Sequence, residues 1–432
     1  MIEGRHRRTI ERDSSRETEV KTKNRGAALA LLCVMAGATQ AQDLPKWLTD
    51  AKAREVRLAE PVDVASADGW LRTKVHGALK QEIVQNDGAY DISIALGEDV
   101  TVSCVVLRGS RDLAALLERT AKASLEGANE ERGTVEARVV EASDAGSVGP
   151  NPYMSLQWLY RVDLKGEKRV GALKQYAAAL DDAVVFCAHD DLGYSRTFEA
   201  VTRTLTTHLR TGGEPAPRPY FREVSVVSLD GTRVGVATTT MTKDADGDTK
   251  VVNASALLLQ TAPGQLVAQD VSDVQWVRPD GTLINAVQVK SSNGAMSEDM
   301  ALKQQDGEGD GEHRWKVSGT ISGKQIDVEL QGAPSSYVAQ AKARRALMAQ
   351  ASPVGASTDA LTWTSLDLTR LLSARSTVLA PVGTDHYAVR EEVGGVAIEA
   401  VLDKQTGTMV SAKMPLGPRT MNFERLYRHG DF

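Results

Sequence analysis

The sequence predicts an α+β protein: an N-terminal α/β sandwich on an antiparallel sheet, then a C-terminal antiparallel β-meander, half-barrel-like, with one interrupting helix. Three observations carry this. Between Phe221 and Gln331, short segments of alternating apolar residues are punctuated by Asp230-Gly231, Asp280-Gly281 and Ser322-Gly323, pairs suited to tight reversals between strands. From Asp43 to about Arg210, period-two stretches mix with stretches of helical spacing. Between the two runs lies 211–219, whose three prolines and two glycines forbid both helix and central strand. The expected domains are therefore 43–210 and 220–432, joined by a linker at 211–219.

The chain of 432 residues has room for two or three domains at roughly 100–200 residues each. Aromatic residues make up only 5%, which argues against an aromatic-lined binding surface. Residues 1–41 hold eight basic and five acidic side chains, leaving 43 basic against 52 acidic beyond them, a net charge of −9. That balance opposes binding to nucleic acid, which needs basic patches.

At the N-terminus, Lys21, Lys23 and Arg25 precede an apolar run from Gly26 to Ala36, followed by Ala36-Gly37-Ala38 and Thr39-Gln40-Ala41. This is the pattern of a secretory signal peptide, with cleavage expected after Ala41 or, secondarily, Ala38. The five acids among residues 1–20 are foreign to such a leader, so translation is expected to start near Val20. Cys33 belongs to the apolar run, and Leu31-Leu32 before it lacks the small residues of a lipoprotein site. The run is shorter than the roughly 20 apolar residues of a membrane-spanning helix, and no later segment reaches that length. The mature protein is expected to be soluble, periplasmic or secreted, with no transmembrane segment.

In the first half, Tyr90–Leu96 and Val100–Leu107 read as strands, the second with Val100, Val102, Cys104 and Val106 on one face. Leu113, Leu116, Leu117, Ala121 and Leu125 share a helical stripe, with Ser110 placed to cap and Gly127 to stop it. Strands follow at Val135–Ala142, Met154–Val162, Gly171–Ala179 and Ala183–Ala188, and a helix at Thr197–Leu209. The run Asp182-Ala183-Val184-Val185-Phe186-Cys187-Ala188-His189, then Gly193-Tyr194-Ser195-Arg196-Thr197-Phe198 and an amphipathic helix, resembles the end of a PsbP-like α/β/α sandwich domain. The resemblance covers at most residues 90–210 and implies a binding or assembly role without catalysis.

In the second half, strands are expected at Phe221–Leu229, Thr232–Thr242, Lys250–Gln260, Val274–Arg278, Thr282–Lys290, Met300–Gln304, Arg314–Ile321 and Lys324–Gln331. The last two form the most legible hairpin: Trp315, Val317, Ile321, Ile326, Val328 and Leu330 face one way, Lys316, Ser318, Asp327 and Glu329 the other. A helix at Ser336–Gln350 carries Lys342, Arg344 and Arg345, read as a solvated stripe, and Pro353 ends it. After an apolar segment at Leu361–Leu379, four strands are expected at His386–Val393, Val396–Asp403, Thr408–Met414 and Thr420–Tyr427. A long antiparallel sheet with one apolar face, interrupted by a helix and finished by short hairpins, resembles the incomplete barrel of LolA-type periplasmic carriers. That resemblance, over residues 220–432, implies an apolar ligand on the sheet's apolar face.

Beyond the leader, Cys104 and Cys187 are the only cysteines; both fall in strands of one domain, and in an oxidising compartment they are a candidate disulfide. Asp244, Asp246 and Asp248 open like a calcium loop, but Thr249 and Ser255 stand where that loop needs Gly and Glu. They, and Asp306, Glu308, Asp310 and Glu312, remain weak calcium candidates against the reading of solvated acidic turns. His189-Asp190-Asp191 has the residue types for acid/base or metal chemistry but no spaced second histidine. Gly319-Thr-Ile-Ser-Gly323 is not a nucleophile elbow, and no zinc-protease or phosphate-loop motif occurs. No metal and no cofactor is expected. The reading is an exported, non-enzymatic binding protein of the bacterial envelope, with an apolar ligand or an envelope protein as its unknown partner. The sharper version is a carrier for an apolar ligand. The alternatives are a protein-interaction or assembly module, and a hydrolase in which His189, Asp190 and Asp191 would be changed first.

Overall fold

Three antiparallel sheets and four helices make up the computed structural model, which describes residues 45–76, 80–86, 88–96, 100–109, 112–126, 133–212, 218–306, 313–350, 357–364 and 369–432. The expected leader, Ser110, Gly127, Pro353 and the prolines at 215 and 217 lie outside them. From Asp50 to Phe432 the chain is one compact unit.

Helix α1 (Lys46–Lys52) precedes β1 (Pro61–Ala65) and β2 (Leu71–His76). Then come β3 (Lys80–Asn86), β4 (Ala89–Ala95), β5 (Thr101–Arg108), helix α2 (Leu113–Glu126), β6 (Thr134–Val148), β7 (Asn151–Leu164), β8 (Glu167–Ala179) and β9 (Ala183–Asp190). Helix α3 (Ser195–His208) and the short β10 (Arg210–Thr211) end this half. Strands β3 to β9 form a seven-stranded sheet in the order β3-β4-β5-β9-β8-β7-β6, and β1-β2-β10 form a small one. β1, β2 and β3 are additions to the sequence reading, which placed no strand before Tyr90; in β2, Leu71, Thr73 and Val75 are buried against α3 while Arg72 is exposed.

The seven-stranded sheet is apolar on both faces, so it is a middle layer. On one face Cys104, Tyr153, Tyr176 and Val185 pack against Phe198, Val201 and Leu205 of α3. On the other, Met154, Leu156, Trp158 and Leu173 meet Leu113, Leu117 and Ala121 of α2 together with Val226, Val236, Ala256 and Leu258 from the second half. The segments on either side of the 211–219 stretch thus share one core.

The second half is a fourteen-stranded sheet made of two meanders. The first runs through β11 (Phe221–Leu229), β12 (Thr232–Lys243), β13 (Thr249–Ala262), β14 (Gln265–Val277), β15 (Leu283–Ser292), β16 (Ala295–Asp306), β17 (His313–Ile321) and β18 (Lys324–Leu330). Helix α4 (Tyr337–Gln350) follows, and the second meander is β19 (Ser357–Thr364), β20 (Leu371–Val382), β21 (His386–Val393), β22 (Val396–Asp403), β23 (Met409–Leu416) and β24 (Arg419–His429). Pairing of β11 with β24 joins them, leaving β18 and β19 at the two edges. At the β11–β12 turn Asp230 and Gly231 take φ of 51° and 84°, the left-handed pair a two-residue reversal requires.

Two departures from the sequence reading have a physical reason. β14 begins at Gln265 rather than Val274, because Gln265–Asp273 carries polar groups on both faces and so lacks the alternation that flags a strand. Six strands, not four, follow α4: the apolar segment at Leu361–Leu379 divides between the hairpin partners β19 and β20.

Candidate functional site

Strand alternation separates the residues of the His189-Asp190-Asp191 run. His189 points into the α3 side of the seven-stranded sheet, 2% exposed, its Nδ1 3.0 Å from the Thr101 carbonyl and its ring stacked on Phe198. Burial holds its pKa below the ordinary histidine value, and the neighbouring Lys174 acts in the same direction. Asp190 faces away and accepts the Tyr160 hydroxyl at 2.6 Å. Asp191 sits in the following turn, where it accepts from Arg54 at 2.7 Å and from the Gly193 N–H at 2.6 Å. The three do not converge on one point, so they form no acid/base set.

Lys174 stands opposite His189 on β8, only 2% exposed. Its Nζ donates to the carbonyls of Gly193, at 2.7 Å, and of Asp191. Burial pulls its pKa down to about 8, against the pull of Asp191, Glu141, Asp190 and Glu55. A cavity of about 210 Å³ beside it is lined by Tyr153, Gln157, Ser195, Glu199 and Arg203 among others. With two carbonyls engaged, the amine is a strut that ties the turn before α3 to the sheet.

Cys104 and Cys187 face each other in register on β5 and β9 and are disulfide-bonded, with Cα atoms 3.9 Å apart. The acidic turn at Asp244 is organised by its own backbone: Asp244 Oδ1 accepts the N–H groups of Asp246 (3.1 Å) and Asp248 (2.9 Å), while Lys243 donates to the Gly247 carbonyl. Among the described residues no group of three His, Cys, Asp or Glu is arranged to hold a metal. Asp310, Glu308 and Glu312 fall outside the described residues, as does the Asp306 side chain.

One apolar face of the large sheet, here called the inner face, is occupied by α4. Ser336 caps the helix, accepting the Ala339 N–H at 3.0 Å while its hydroxyl donates to the Gly281 carbonyl. Val338 packs with Met241, Val251, Leu302, Trp315 and Val317 of the first meander. Leu347 and Met348 pack with Val378, Val389 and Leu402 of the second. The helix therefore spans both.

One member of the basic stripe on α4, Arg344, is not solvated, which corrects the sequence reading at that residue. Arg344 falls on the same helical stripe as Val338, Ala341 and Leu347, and is 4% exposed. Its guanidinium donates to both oxygens of Glu391, at 2.7 and 2.9 Å, and Ser376 donates to the same carboxylate at 2.8 Å. Arg345 donates to the Phe432 carbonyl at 2.7 Å, and Lys342 to that of Pro279. A buried carboxylate on β21 could not be foreseen from its local alternation with Arg390 and Glu392.

A second ionic group fastens the β11–β24 joint. Arg425 links Glu223 (2.9 Å) to Asp403 (2.9 Å), Arg428 also reaches Asp403, and the Thr408 hydroxyl donates to Glu223. Burial raises the Glu223 pKa. Burial also acts on Asp403, but Arg425, the Thr406 N–H and Arg428 outweigh it and hold that carboxyl below its usual value.

Two remote carboxylates cap helices of the first half. Glu55 accepts the N–H groups of Arg196 and Thr197 at the start of α3. Asp270, on β14, accepts those of Ala114 (3.1 Å) and Ala115 (2.9 Å) at the start of α2. Burial pushes Asp270 up to about 6, the two N–H groups oppose it, and Asp112 adds repulsion. No cue in the sequence marks either residue as a cap, because each lies far from its helix along the chain.

No family model matches the chain, and no curated protein does. Among solved structures, the crystal structure of a beta-barrel-like protein of domain of unknown function DUF1849 from Brucella abortus is similar over 50% of this chain and 99% of that chain, at 14% identity and a TM-score of 0.37. None of these comparisons supports the PsbP-like or the LolA-type resemblance, and at that distance the structural likeness carries no argument about function.

Proposed function

We propose that the chain is an exported, non-enzymatic binding protein of the bacterial envelope, acting as a protein-interaction or assembly module. One observation carries the choice of module over carrier: α4 covers the inner face that an apolar ligand would need, and the Arg344–Glu391 pair fixes it there. Export is supported by the leader pattern before Ala41 and by a disulfide, which persists in oxidising compartments. The absence of catalysis is supported by the separation of His189, Asp190 and Asp191.

Native mass spectrometry of freshly purified full-length protein tests the reading. The expected result is a mass free of lipid, with an envelope protein recovered after cross-linking in cells. A repeatedly co-purifying lipid would return the carrier reading, and turnover in a hydrolase screen abolished by one substitution would overturn both. N-terminal sequencing of the mature chain is expected to begin at Gln42.

A further inference from the structure

The small sheet β1-β2-β10 has one buried face and one open face. Leu71, Thr73 and Val75 of β2 are buried against α3, so Arg72 and Lys74 project from the other side. Strand register adds a third cation there: the two-residue β10 sets Arg210 directly opposite Arg72. Across the sheet from these, Ala65 of β1 stands opposite Arg72 and Asp63 opposite Lys74. Together with His208 at the end of α3, these side chains line an open groove of about 500 Å³.

Like charges placed directly opposite each other on one face of an antiparallel pair are destabilising, and little in the groove offsets them. Arg72 is exposed and has no hydrogen bond or ion pair among the described residues. Arg210 uses one guanidinium nitrogen on the Leu209 and Thr207 carbonyls, at 2.7 and 3.3 Å, which answers the negative end of α3. Its remaining N–H groups are unbonded among the described residues. Asp63 is the sole acid among the lining residues; it is 89% exposed and 4.0 Å from Lys74, a contact that contributes little. Composition does not account for the patch, since the chain beyond residue 41 carries a net charge of −9.

We propose that this groove binds a phosphate ester, with Arg72 and Arg210 donating to the phosphate oxygens and Lys74 supplying a third positive charge. Two guanidinium groups side by side match the several oxygens of a phosphate, to which each can donate a pair of parallel N–H bonds. A bound dianion also relieves the repulsion between Arg72 and Arg210. The groove is larger than a bare phosphate and the small Ala65 flanks Arg72, which leaves space for the esterified group. The ester is a soluble compound or a lipid head group, and the chemistry recognised is the same in both. The site is independent of the protein partner proposed above.

The test is calorimetry of the full chain with inorganic phosphate and glycerol 3-phosphate at low salt, alongside sedimentation with vesicles of phosphatidylcholine, with or without phosphatidylglycerol. Saturable binding of glycerol 3-phosphate, or retention on the vesicles that contain phosphatidylglycerol alone, is expected; the first places the ester in solution and the second on a lipid. Arg72→Gln should weaken that binding by roughly tenfold or more. Lys324→Gln, which removes an exposed charge on β18, should leave it within about twofold. Without phosphate, Arg72→Gln should melt no lower than wild type, because it removes a repulsion. No saturable binding of either phosphate compound up to about 10 mM, together with no vesicle retention, would overturn the assignment. Undiminished binding by Arg72→Gln would do the same, as would equal weakening by Lys324→Gln, the mark of bulk charge attraction. A lower melting temperature for Arg72→Gln would give Arg72 to the fold instead of a ligand.

Discussion

The seven-stranded and fourteen-stranded sheets share one plan and differ in how they are fastened. Each is two meanders joined at a single antiparallel pair between strands that are not neighbours in the chain, β5 with β9 in one and β11 with β24 in the other. Every other pair is a hairpin, whose register is set by its turn. A joint between distant segments has no turn to set it and bears the entropy of a long loop. In the smaller sheet the joint is covalent and dry, with Cys104 opposite Cys187 in the core. In the larger it is ionic, with Arg425 shared between Glu223 and Asp403. Fasteners of different chemistry therefore occupy equivalent places, and each should fail under different conditions.

Removing the covalent joint should have the largest effect. Cys104 and Cys187 are 83 residues apart, so replacing both with Ala should cost about 4.5 kcal/mol in denaturant unfolding. Added reductant should mimic the loss, whereas salt should not. Next comes α4, which bridges the meanders of the larger sheet. Arg344→Leu strands a buried carboxylate and should cost about 3–5 kcal/mol, while combining it with Glu391→Leu should recover much of that. A double variant no more stable than the single would show that the pair is not the critical contact.

A smaller effect is expected where the halves meet. Asp270→Ala leaves two N–H groups of α2 unmet and should cost about 2–3 kcal/mol. Because the folded-state pKa of Asp270 is raised to about 6, its contribution is fully present below about pH 4 and declines as pH rises through 6. The loss on substitution should thus be larger at pH 5 than at pH 7.5. Lys174 has the opposite sense: with its pKa lowered to about 8, wild type should gain stability relative to Lys174→Met between roughly pH 8 and 10.4. The smallest change is Asp244→Ala, about 1 kcal/mol or less, since it loosens only an exposed turn.

What the sequence revealed follows the range of the interactions involved. The β11–β12 and β17–β18 hairpins were legible because turn and alternation lie within a few residues of one another. The cysteine pair was legible as chemistry, since only two cysteines lie beyond residue 41. Asp270, Glu55, Arg344 and Glu391 were not, because each is defined by a partner far along the chain, and Arg344 looked like its exposed neighbours.

The β11–β24 pairing also bears on the order of events during synthesis. A chain that emerges N-terminus first presents β11, with its run Val224-Ser225-Val226-Val227, long before β24 exists to cover that edge. Until then the strand offers unpaired backbone groups on a short, β-prone segment, the kind that recruits other chains. Maturation is therefore expected to depend on a holding chaperone, and loss of β24 should show as aggregation in the compartment of folding rather than as a soluble, shortened protein.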